Sequence, residues 1–344
     1  MKRKLYSVLL SAFALLLLMG AGPLPEVQAV IVTEEESAGS SGTALETFSE
    51  GTASDNSLPQ AVSESTGLEV QQTDDVQIPA DADPREDSVN EDIGPAEFDS
   101  KLLFDGVMAP NNLMKVERDG VTYVALAPTV KLFDKNAEIT WYGEKQGAIV
   151  TSPTLHITAK PGQFYIIANG RYIYVEETVQ VCDNRIMLPL TAIAKCFDAK
   201  VTWNPENDVV SVKRGSGSIL PGDQFYDQDN LFWLSRVIYA ESGNQPLEGQ
   251  MSVGNVVLNR VSNPIYPNTV LGVLSQKNQF STYRGGKLAK RVPNKSSIIA
   301  AKLVMDGATV DETEGALYFD SCHNSWAARH KDCIAVIGGH KFYR

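Results

Sequence analysis

The stretch LSRVIYAESGNQPLEGQMSVGNVVLNRV (residues 234–261) contains two helical patterns separated by a short turn. The inward-facing positions of the first pattern follow i, i+3, i+4, i+7 spacing and end on an acid: Leu234, Val237, Ile238 and Glu241. Glycine is common just after a helix and proline at the first helical position, so Gly243 and Pro246 mark the break. The stretch therefore predicts two consecutive helices, with a carboxylate on an apolar face.

The position of Glu241 predicts a carboxyl group that can donate a proton. The last turn of a helix carries partial negative charge, and burial also disfavours a charged carboxylate. Both effects favour a protonated acid, which a general acid needs in order to protonate a leaving oxygen. Gly243 is the expected C′ residue of this helix. The alternative is a buried glutamate paired with an arginine such as Arg236 or Arg260.

The surrounding sequence predicts a mainly helical region from about Gln224 to Arg344. The first helix covers 230–242, with Asp229 or Asn230 as its N-cap, and the second covers 246–263. Shorter helices are expected over 268–276 and 296–308, and short strands over 316–321 and 335–344.

The preceding region, from about 102 to 214, is rich in strand patterns and contains an internal repeat. Residues 121–152 parallel residues 185–214, and three pairs of positions match: Leu126 with Leu190, Phe133 with Phe197, Trp141 with Trp203. Each unit predicts strand, short helix, strand, turn, strand, with Phe197 and Trp203 in the core. A Gly/Ser hinge over 214–223 is expected to close the region. The predicted fold class is α+β.

The first hundred residues predict export and a spacer. Residues 1–29 combine Lys2, Arg3 and Lys4 with an apolar run and a small-residue cleavage site, as in a secretory signal peptide. The alternative is an uncleaved membrane anchor, because the apolar run approaches the length that a bilayer requires. Residues 30–100 contain eighteen acidic residues and one basic residue, Arg85, and few aromatics, which predicts a disordered linker.

The net charge of −12 is concentrated in that linker. From residue 101 onward 26 Lys and Arg face 23 Asp and Glu, so no basic surface for nucleic acid is expected.

Four cysteines form two sequence pairs, Cys182 with Cys196 and Cys322 with Cys333. Disulfides are the default expectation for an exported chain. Free thiols remain an alternative if the producer is an anaerobe, and His323 and His330 offer a zinc alternative for the second pair.

The C-terminal region resembles the spore-cortex-lytic SleB-like cell wall hydrolase family in the stretch 234–261, in YPNTVLGVLSQKNQFS (266–281), in GALYFDS (315–321) and in the closing IGGHKFYR (337–344). The resemblance implies a small lysozyme-like, mainly helical catalytic domain (216–344) that cleaves peptidoglycan glycan strands, with Glu241 as catalytic acid. Residues 185–214 resemble the copper amine oxidase N-terminal-like module, which implies an accessory module over 101–215 without copper chemistry. The loop SCHNSWAARHKDC (321–333) departs from the family pattern.

Candidate substrate-binding residues are Gln279 and Ser281 in NQFS, Tyr318 in ALYF, and Glu248. Glu248 lies in the first turn of the second helix, where an acid also stabilises the helix start. Phe280 is expected in the core, and His340 is expected to be a strand residue bonded to backbone, because no metal-protease spacing surrounds it.

The lack of a clear second carboxylate favours a lytic transglycosylase over a two-carboxylate hydrolase. We expect no cofactor and no metal, peptidoglycan glycan strands as the partner, no nucleic acid, no membrane contact beyond the export signal, and a monomer. The expected location is secreted, at the cell wall or spore. The alternatives are a wall-binding protein without turnover, a muramidase with Glu248 or Asp320 as second carboxylate, and an amidase.

Overall fold

The computed structural model describes residues 101–142, 147–277, 279–321 and 324–344. The predicted signal peptide (1–29) and acidic linker (30–100) lie outside the described residues. Residues 101–344 belong to one compact unit. Within the described ranges, no helix has the length and apolar character needed to span a membrane.

The first region consists of short strands and two short helices. Its strands are β1 Lys101–Phe104, β2 Val107–Met108, β3 Lys115–Arg118, β4 Val121–Ala125, β5 Glu138–Tyr142, β6 Gly147–Thr151, β7 His156–Ala159, β8 Tyr165–Ala168, β9 Arg171–Tyr174, β10 Gln180–Cys182, β11 Arg185–Pro189, β12 Lys200–Asn204 and β13 Val209–Lys213. Its helices are α1 Leu126–Phe133 and α2 Leu190–Cys196. The strands form three sheets, ordered β12-β13-β1-β2, β10-β11-β4-β3 and β5-β6-β7-β8-β9.

The internal repeat is confirmed. The first copy runs β4-α1-β5-β6 and the second β11-α2-β12-β13, and the two copies meet through antiparallel pairing of β4 with β11. The matched rings Phe133 and Phe197 stack with their centroids 4.5 Å apart. Phe197 is buried, as predicted.

The prediction that Trp203 is a core residue is wrong, because 54% of it is exposed. Trp203 and Val201 share one face of β12, since alternate residues of a strand point the same way. Val201 packs against the core, but β12 is the edge strand of its sheet. The ring therefore projects beyond the packed interior, and its Nε1 donates to Asp208 at 3.0 Å. The matched Trp141 on the edge strand β5 is also exposed.

The predicted hinge at 214–223 is instead held against the first region. The hydroxyl of Ser218 donates to the Thr154 carbonyl at 2.7 Å, and the Ile219 amide donates to the Cys196 carbonyl at 2.9 Å. The Ile219 side chain is buried in the core of the first region. These contacts restrict the segment despite its Gly/Ser composition.

The second region is mainly helical, as predicted. Its helices are α3 Gly222–Phe225, α4 Gln228–Ser242, α5 Leu247–Ser262, α6 Val270–Ser275, α7 Lys295–Met305 and α8 Trp326–His330, and its strands are β14 Tyr318–Asp320, β15 Cys333–Ile337 and β16 His340–Tyr343. The strands form one antiparallel sheet, ordered β14-β16-β15. With the first region, this gives an α+β fold.

Helices α4, α5 and α7 enclose the second core. A Cβ at Gly254 of α5 would lie 3.0 Å from side-chain atoms of both Ile238 and Val304, so glycine permits the close approach of the three helices. The predicted N-cap of α4 is off by two to three residues: Asp227 is the cap, and its carboxylate accepts from the Asn230 amide at 2.8 Å. Pro246 lies at the N-cap of α5, one position before the helix.

The β8–β9 hairpin connects the two regions. Tyr165, Tyr172 and Tyr174 pack against the core formed by α4, α5 and α7. Beside them, Asp306 at the end of α7 forms ion pairs with Arg171 and Lys195 of the first region. The Asp306 side chain is 2% exposed, so this contact is a buried charge cluster.

Candidate active site

Glu241 is the penultimate residue of α4. The next residue but one, Gly243, has a right-handed backbone (φ −63°), so it is not the left-handed C′ glycine that was predicted. Glycine is required here for another reason: a Cβ at this position would lie 2.6 Å from the Tyr239 carbonyl oxygen. The chain thus turns tightly after Glu241 and leaves the acid at an open helix end.

The Glu241 carboxylate is half-buried and accepts a hydrogen bond from Thr282. The Thr282 hydroxyl lies 2.6 Å from Oε1 of Glu241. Among the described residues, no ion pair joins Glu241 to Arg236 or Arg260, so the alternative of a buried Glu–Arg pair is not observed. The Thr282 hydroxyl therefore orients the carboxylate.

Glu241 opens into a cleft of about 640 Å³. Polar and aromatic side chains together line it: Glu241, Arg260, Tyr266, Gln279, Phe280, Tyr318, Phe319, Asp320, Ser321, Ser325, Trp326, Ala327 and His340. A cleft of this size and mixed lining fits a small organic ligand or a few units of a polymer.

Arg260 organises one side of the cleft. It is 5% exposed, its Nε donates to the Leu317 carbonyl at 2.8 Å, and its Nη1 donates to Oε1 of Gln279 at 3.1 Å. The guanidinium also lies 5.3 Å from the ring centroid of Tyr266 and 5.6 Å from that of Tyr318. Burial lowers the pKa of Arg260, although a guanidinium keeps its charge in a protein. Arg260 therefore fixes the polar residues around it.

The two tyrosines are linked directly. The Tyr266 hydroxyl donates to the Tyr318 hydroxyl at 3.0 Å. Burial, followed by this hydrogen bond, raises the pKa of Tyr266 to about 12, so the phenol stays neutral. The pair presents hydroxyl groups and ring surface to the cleft.

His340, on β16, is 7% exposed and lines the same cleft. Its pKa lies below the ordinary value because burial disfavours the imidazolium, against the opposing effects of the Glu241 and Asp320 carboxylates and the Glu241 backbone. Its Nδ1 is buried without a hydrogen-bond partner in the described part of the chain. The influence of the Glu241 backbone is consistent with the predicted backbone-bonded strand residue.

Two of the predicted binding residues, Gln279 and Tyr318, lie in the cleft with Glu241. Ser281 does not line it: this residue is exposed at the start of a 3₁₀ segment, and the next residue, Thr282, contacts the acid. Phe280 is 5% exposed and packs in the second core, as predicted.

Glu248 lies apart from the cleft. It lines a second cavity, of about 410 Å³, together with Tyr174, Glu176, Asp311 and Glu312. Burial, and then the carboxylates of Asp311, Glu177 and Glu312, raise the pKa of Glu176. Glu248 is thus not grouped with Glu241 in one cleft, and its role in substrate binding stays a prediction.

Asp320 is the second carboxylate of the Glu241 cleft. It accepts hydrogen bonds from the hydroxyls of Ser325 and Tyr343, the latter at 3.3 Å. From the sequence, Asp320 was predicted as an alternative second carboxylate beside Glu248, and the structure places it at the end of β14.

The first cysteine pair is not bonded. Cys182 and Cys196 lie in different hydrophobic clusters, and the Cys196 thiol donates to the Ala192 carbonyl at 3.3 Å. Burial raises the pKa of Cys196 to about 12, so it stays a thiol. The disulfide prediction for this pair is therefore wrong. Cys333 is exposed on β15, whereas Cys322 and His323 lie outside the described residues, so the second pairing stays a prediction.

The fold and the cleft define a class: an α+β protein whose helical region holds a carboxylate at a helix end, in a cleft lined by aromatic and polar residues. Residues 244–343 match the cell wall hydrolase family, and residues 106–212 match the copper amine oxidase N-terminal domain. Both resemblances predicted from the sequence, to SleB-like cell wall hydrolases and to the copper amine oxidase N-terminal-like module, are thereby confirmed.

Two relatives match about a third of the chain. The spore cortex-lytic enzyme of Bacillus cereus is 33% identical over 121 residues, which are 34% of this chain and 45% of that protein. The spore cortex-lytic enzyme of Bacillus subtilis is 29% identical over 126 residues, 36% of this chain and 39% of that protein. The chain thus spans less than half the length of these relatives.

Two solved structures are also similar in sequence. The catalytic domain of the germination-specific lytic transglycosylase SleB from Bacillus anthracis is 29% identical, with a TM-score of 0.32, over 36% of this chain and 100% of that one. The SleB catalytic domain from Bacillus cereus is 30% identical, with a TM-score of 0.32, over 35% of this chain and 92% of that one.

Proposed function

We propose that this protein cleaves peptidoglycan glycan strands between N-acetylmuramic acid and N-acetylglucosamine, as a lytic transglycosylase that leaves 1,6-anhydro ends. The observation that carries the proposal is Glu241 at a helix end in the cleft, with one carboxylate oxygen held by Thr282 at 2.6 Å. The similarity to spore cortex-lytic enzymes supports the substrate class.

Glu241 acts twice in the proposed reaction. It first protonates the glycosidic oxygen, so the bond to C1 of N-acetylmuramic acid breaks and the leaving sugar departs as an alcohol. It then accepts the proton of the C6 hydroxyl as that oxygen attacks C1, which closes the anhydro ring and restores the acid. Because Thr282 donates to Oε1, we assign the transferred proton to the other oxygen, Oε2.

The neutral groups of the cleft hold the substrate. Gln279 and Tyr318 offer hydrogen bonds to the sugars and their N-acetyl arms, and Arg260 fixes both, through a hydrogen bond and a ring contact. Glu248 is proposed instead as a helix-start residue of α5, where a negative charge offsets the helix dipole.

A muramidase is the second candidate, and Asp320 is the observation that favours it. Its carboxylate lines the cleft with Glu241 and could act as the nucleophile or base that hydrolysis requires. Both its oxygens, however, accept hydroxyl hydrogen bonds, from Ser325 and Tyr343. These bonds favour an anchoring role for Asp320 and the transglycosylase as the first choice.

For the whole chain we propose an exported wall enzyme that works at the cell wall or spore without a cofactor. Residues 1–29 are the signal peptide and 30–100 a spacer. Residues 101–215 form the accessory module, and 216–344 form a lysozyme-like catalytic domain with Glu241 as its one catalytic acid.

Mass spectrometry of digested peptidoglycan, with and without borohydride, tests the reaction. Transglycosylation predicts muramic acid ends that lack one water and resist borohydride, because an anhydro ring has no free reducing end. Reducible, fully hydrated muramic acid ends as the main primary product would contradict the mechanism and favour the muramidase with Asp320.

A further inference from the structure

The short helix α8 forms one wall of the Glu241 cleft and presents a tryptophan to it. Trp326 lines the cleft, yet 53% of the residue is exposed. A large aromatic side chain that is exposed inside a concave site has apolar surface in contact with water, and a bound ligand can remove that surface from water. Trp326 is therefore available for an apolar contact beside the acid.

The faces of the indole differ in their surroundings. The imidazole of His330 stacks on the Trp326 ring at 5.0 Å with an interplanar angle of 19°, which covers one face. The ring of Tyr318 lies 5.6 Å away and is tilted by 53°, so it forms an angled neighbour and does not stack on the other face. Among the described residues, no ring stacks on this other face, and flat aromatic surface remains exposed in the cleft.

This surface is firmly held. The Ser325 hydroxyl accepts from the Ala328 amide at 3.0 Å, which caps α8, and it donates to Asp320 of β14. Asp320 is in turn bonded to Tyr343 of β16. The wall is thus tied to the sheet, and an ordered ring loses little freedom on binding.

We infer that Trp326 is a sugar-stacking platform, a binding site for one N-acetylhexosamine ring of the glycan strand. A pyranose chair has a face of C–H groups that is apolar and nearly flat, and it can pack on the uncovered indole face. Such packing removes apolar area of both rings from water, while the hydroxyl groups at the sugar edge remain free for Gln279 and Tyr318. The inference rests on the proposed glycan substrate and adds the residue that fixes a sugar beside Glu241.

Binding without turnover tests the platform. In the full chain with Glu241→Gln, we expect Trp326→Ala to weaken binding of chitotetraose and of soluble glycan strands about tenfold by calorimetry, and Trp326→Phe to weaken it less. Trp203→Ala is the matched control, because Trp203 is 54% exposed but lies on β12, away from the cleft, and it should leave the Kd unchanged. With Glu241 present, Trp326→Ala should raise KM more than it lowers kcat.

The outcomes separate the two proposals. An unchanged Kd in both Trp326 variants, or an equal loss in Trp203→Ala, would overturn the platform even if the wild-type chain cleaves glycan. If Trp326→Ala weakens binding but the wild-type chain does not cleave glycan, the platform is supported and the proposed reaction is contradicted. A melting temperature within a few degrees of the parent shows that a variant folds. If Trp326→Ala does not fold, the Kd of Trp326→Phe decides the test.

Discussion

At the scale of single residues, the Glu241 carboxylate depends on a hydroxyl from a distant part of the chain. Thr282 donates to Oε1 at 2.6 Å across 41 residues of sequence. A carboxyl group with one oxygen engaged has a defined orientation and only one oxygen available for proton transfer. Small changes at Thr282 should therefore affect the chemical step more than the fold.

Thr282→Val removes the hydroxyl and keeps the side-chain shape. We expect kcat on peptidoglycan to fall about fivefold, because a side-chain hydrogen bond contributes about 1 kcal/mol. Thr282→Ser retains the donor and is the control, with kcat close to wild type. Equal activity of the Val and Ser variants would show that the hydroxyl does not position the acid.

Because His340 is buried, we expect the stability of the protein to depend on pH. Burial lowers its pKa in the folded protein, whereas in the unfolded chain a histidine binds a proton near pH 6.5. The unfolded state thus binds more protons below about pH 6.5, so this residue costs stability as the pH falls from there toward its folded pKa. Above that window it adds no pH dependence.

The measurement is Tm at pH 7.5 and pH 5.0. We expect wild type to lose more Tm on acidification than His340→Gln, whose side chain does not titrate. His156→Gln, at an exposed histidine, should lose as much as wild type. Parallel losses in wild type and His340→Gln would exclude a buried neutral imidazole.

The sequence predicted some site residues and missed others for a physical reason. Glu241 was predictable because helical periodicity places it on the apolar face of its helix, and that face points towards the interior of the domain. Thr282 was not, because it lies in a 3₁₀ segment with an internal kink at Arg284 and Gly285, where no periodicity assigns directions. Glu248 lines another cavity although it lies close to Glu241 in sequence, because the start of α5 faces a different side of the region.

At the scale of elements, the start of α4 shows that residue type alone does not determine which residue caps a helix. Asp227, Asp229 and Asn230 all suit an N-cap, and only the extended backbone at Asp227 selects it. The same limit applies to Trp203, since strand alternation predicts which face it shares but not that its strand lies at a sheet edge. The repeat was predicted well, because its two copies supply the same pattern twice.

The cap gives an element-scale prediction. Asp227→Ala should lower the free energy of unfolding by about 1 kcal/mol, because it removes the acceptor for the Asn230 amide. Asp229→Ala, in the first turn but not at the cap, should cost about half as much or less. Urea denaturation measures both, and a larger loss for Asp229→Ala would move the start of the helix.

At the scale of the whole molecule, the two regions share a buried charge cluster. Asp306, which follows α7, is paired with Arg171 of β9, and Lys195 donates to the Asp306 backbone carbonyl at 2.7 Å. The tyrosines of the β8–β9 hairpin complete the contact. The strand-rich first region therefore contacts the helical region directly.

Asp306→Asn should destabilise the chain by about 3–5 kcal/mol, because it leaves the buried guanidinium of Arg171 without its counter-charge. The control is Asp105→Asn, which breaks the exposed pair with Arg214 and should cost far less stability than Asp306→Asn. Guanidinium denaturation of both variants checks this, and similar small losses would mean that the interface contributes little stability.

The most direct test of the central claim, that Glu241 is the acid of a glycan-cleaving site, compares two glutamates of consecutive helices. Initial rates on purified peptidoglycan are measured for wild type, Glu241→Gln and Glu248→Gln. The account predicts that Glu241→Gln lowers the rate by about two to four orders of magnitude with its Tm nearly unchanged, since a general acid is lost. It predicts that Glu248→Gln stays within a few-fold of wild type, because Glu248 lines another cavity. A folded Glu241→Gln variant that cleaves peptidoglycan at the wild-type rate would contradict the account.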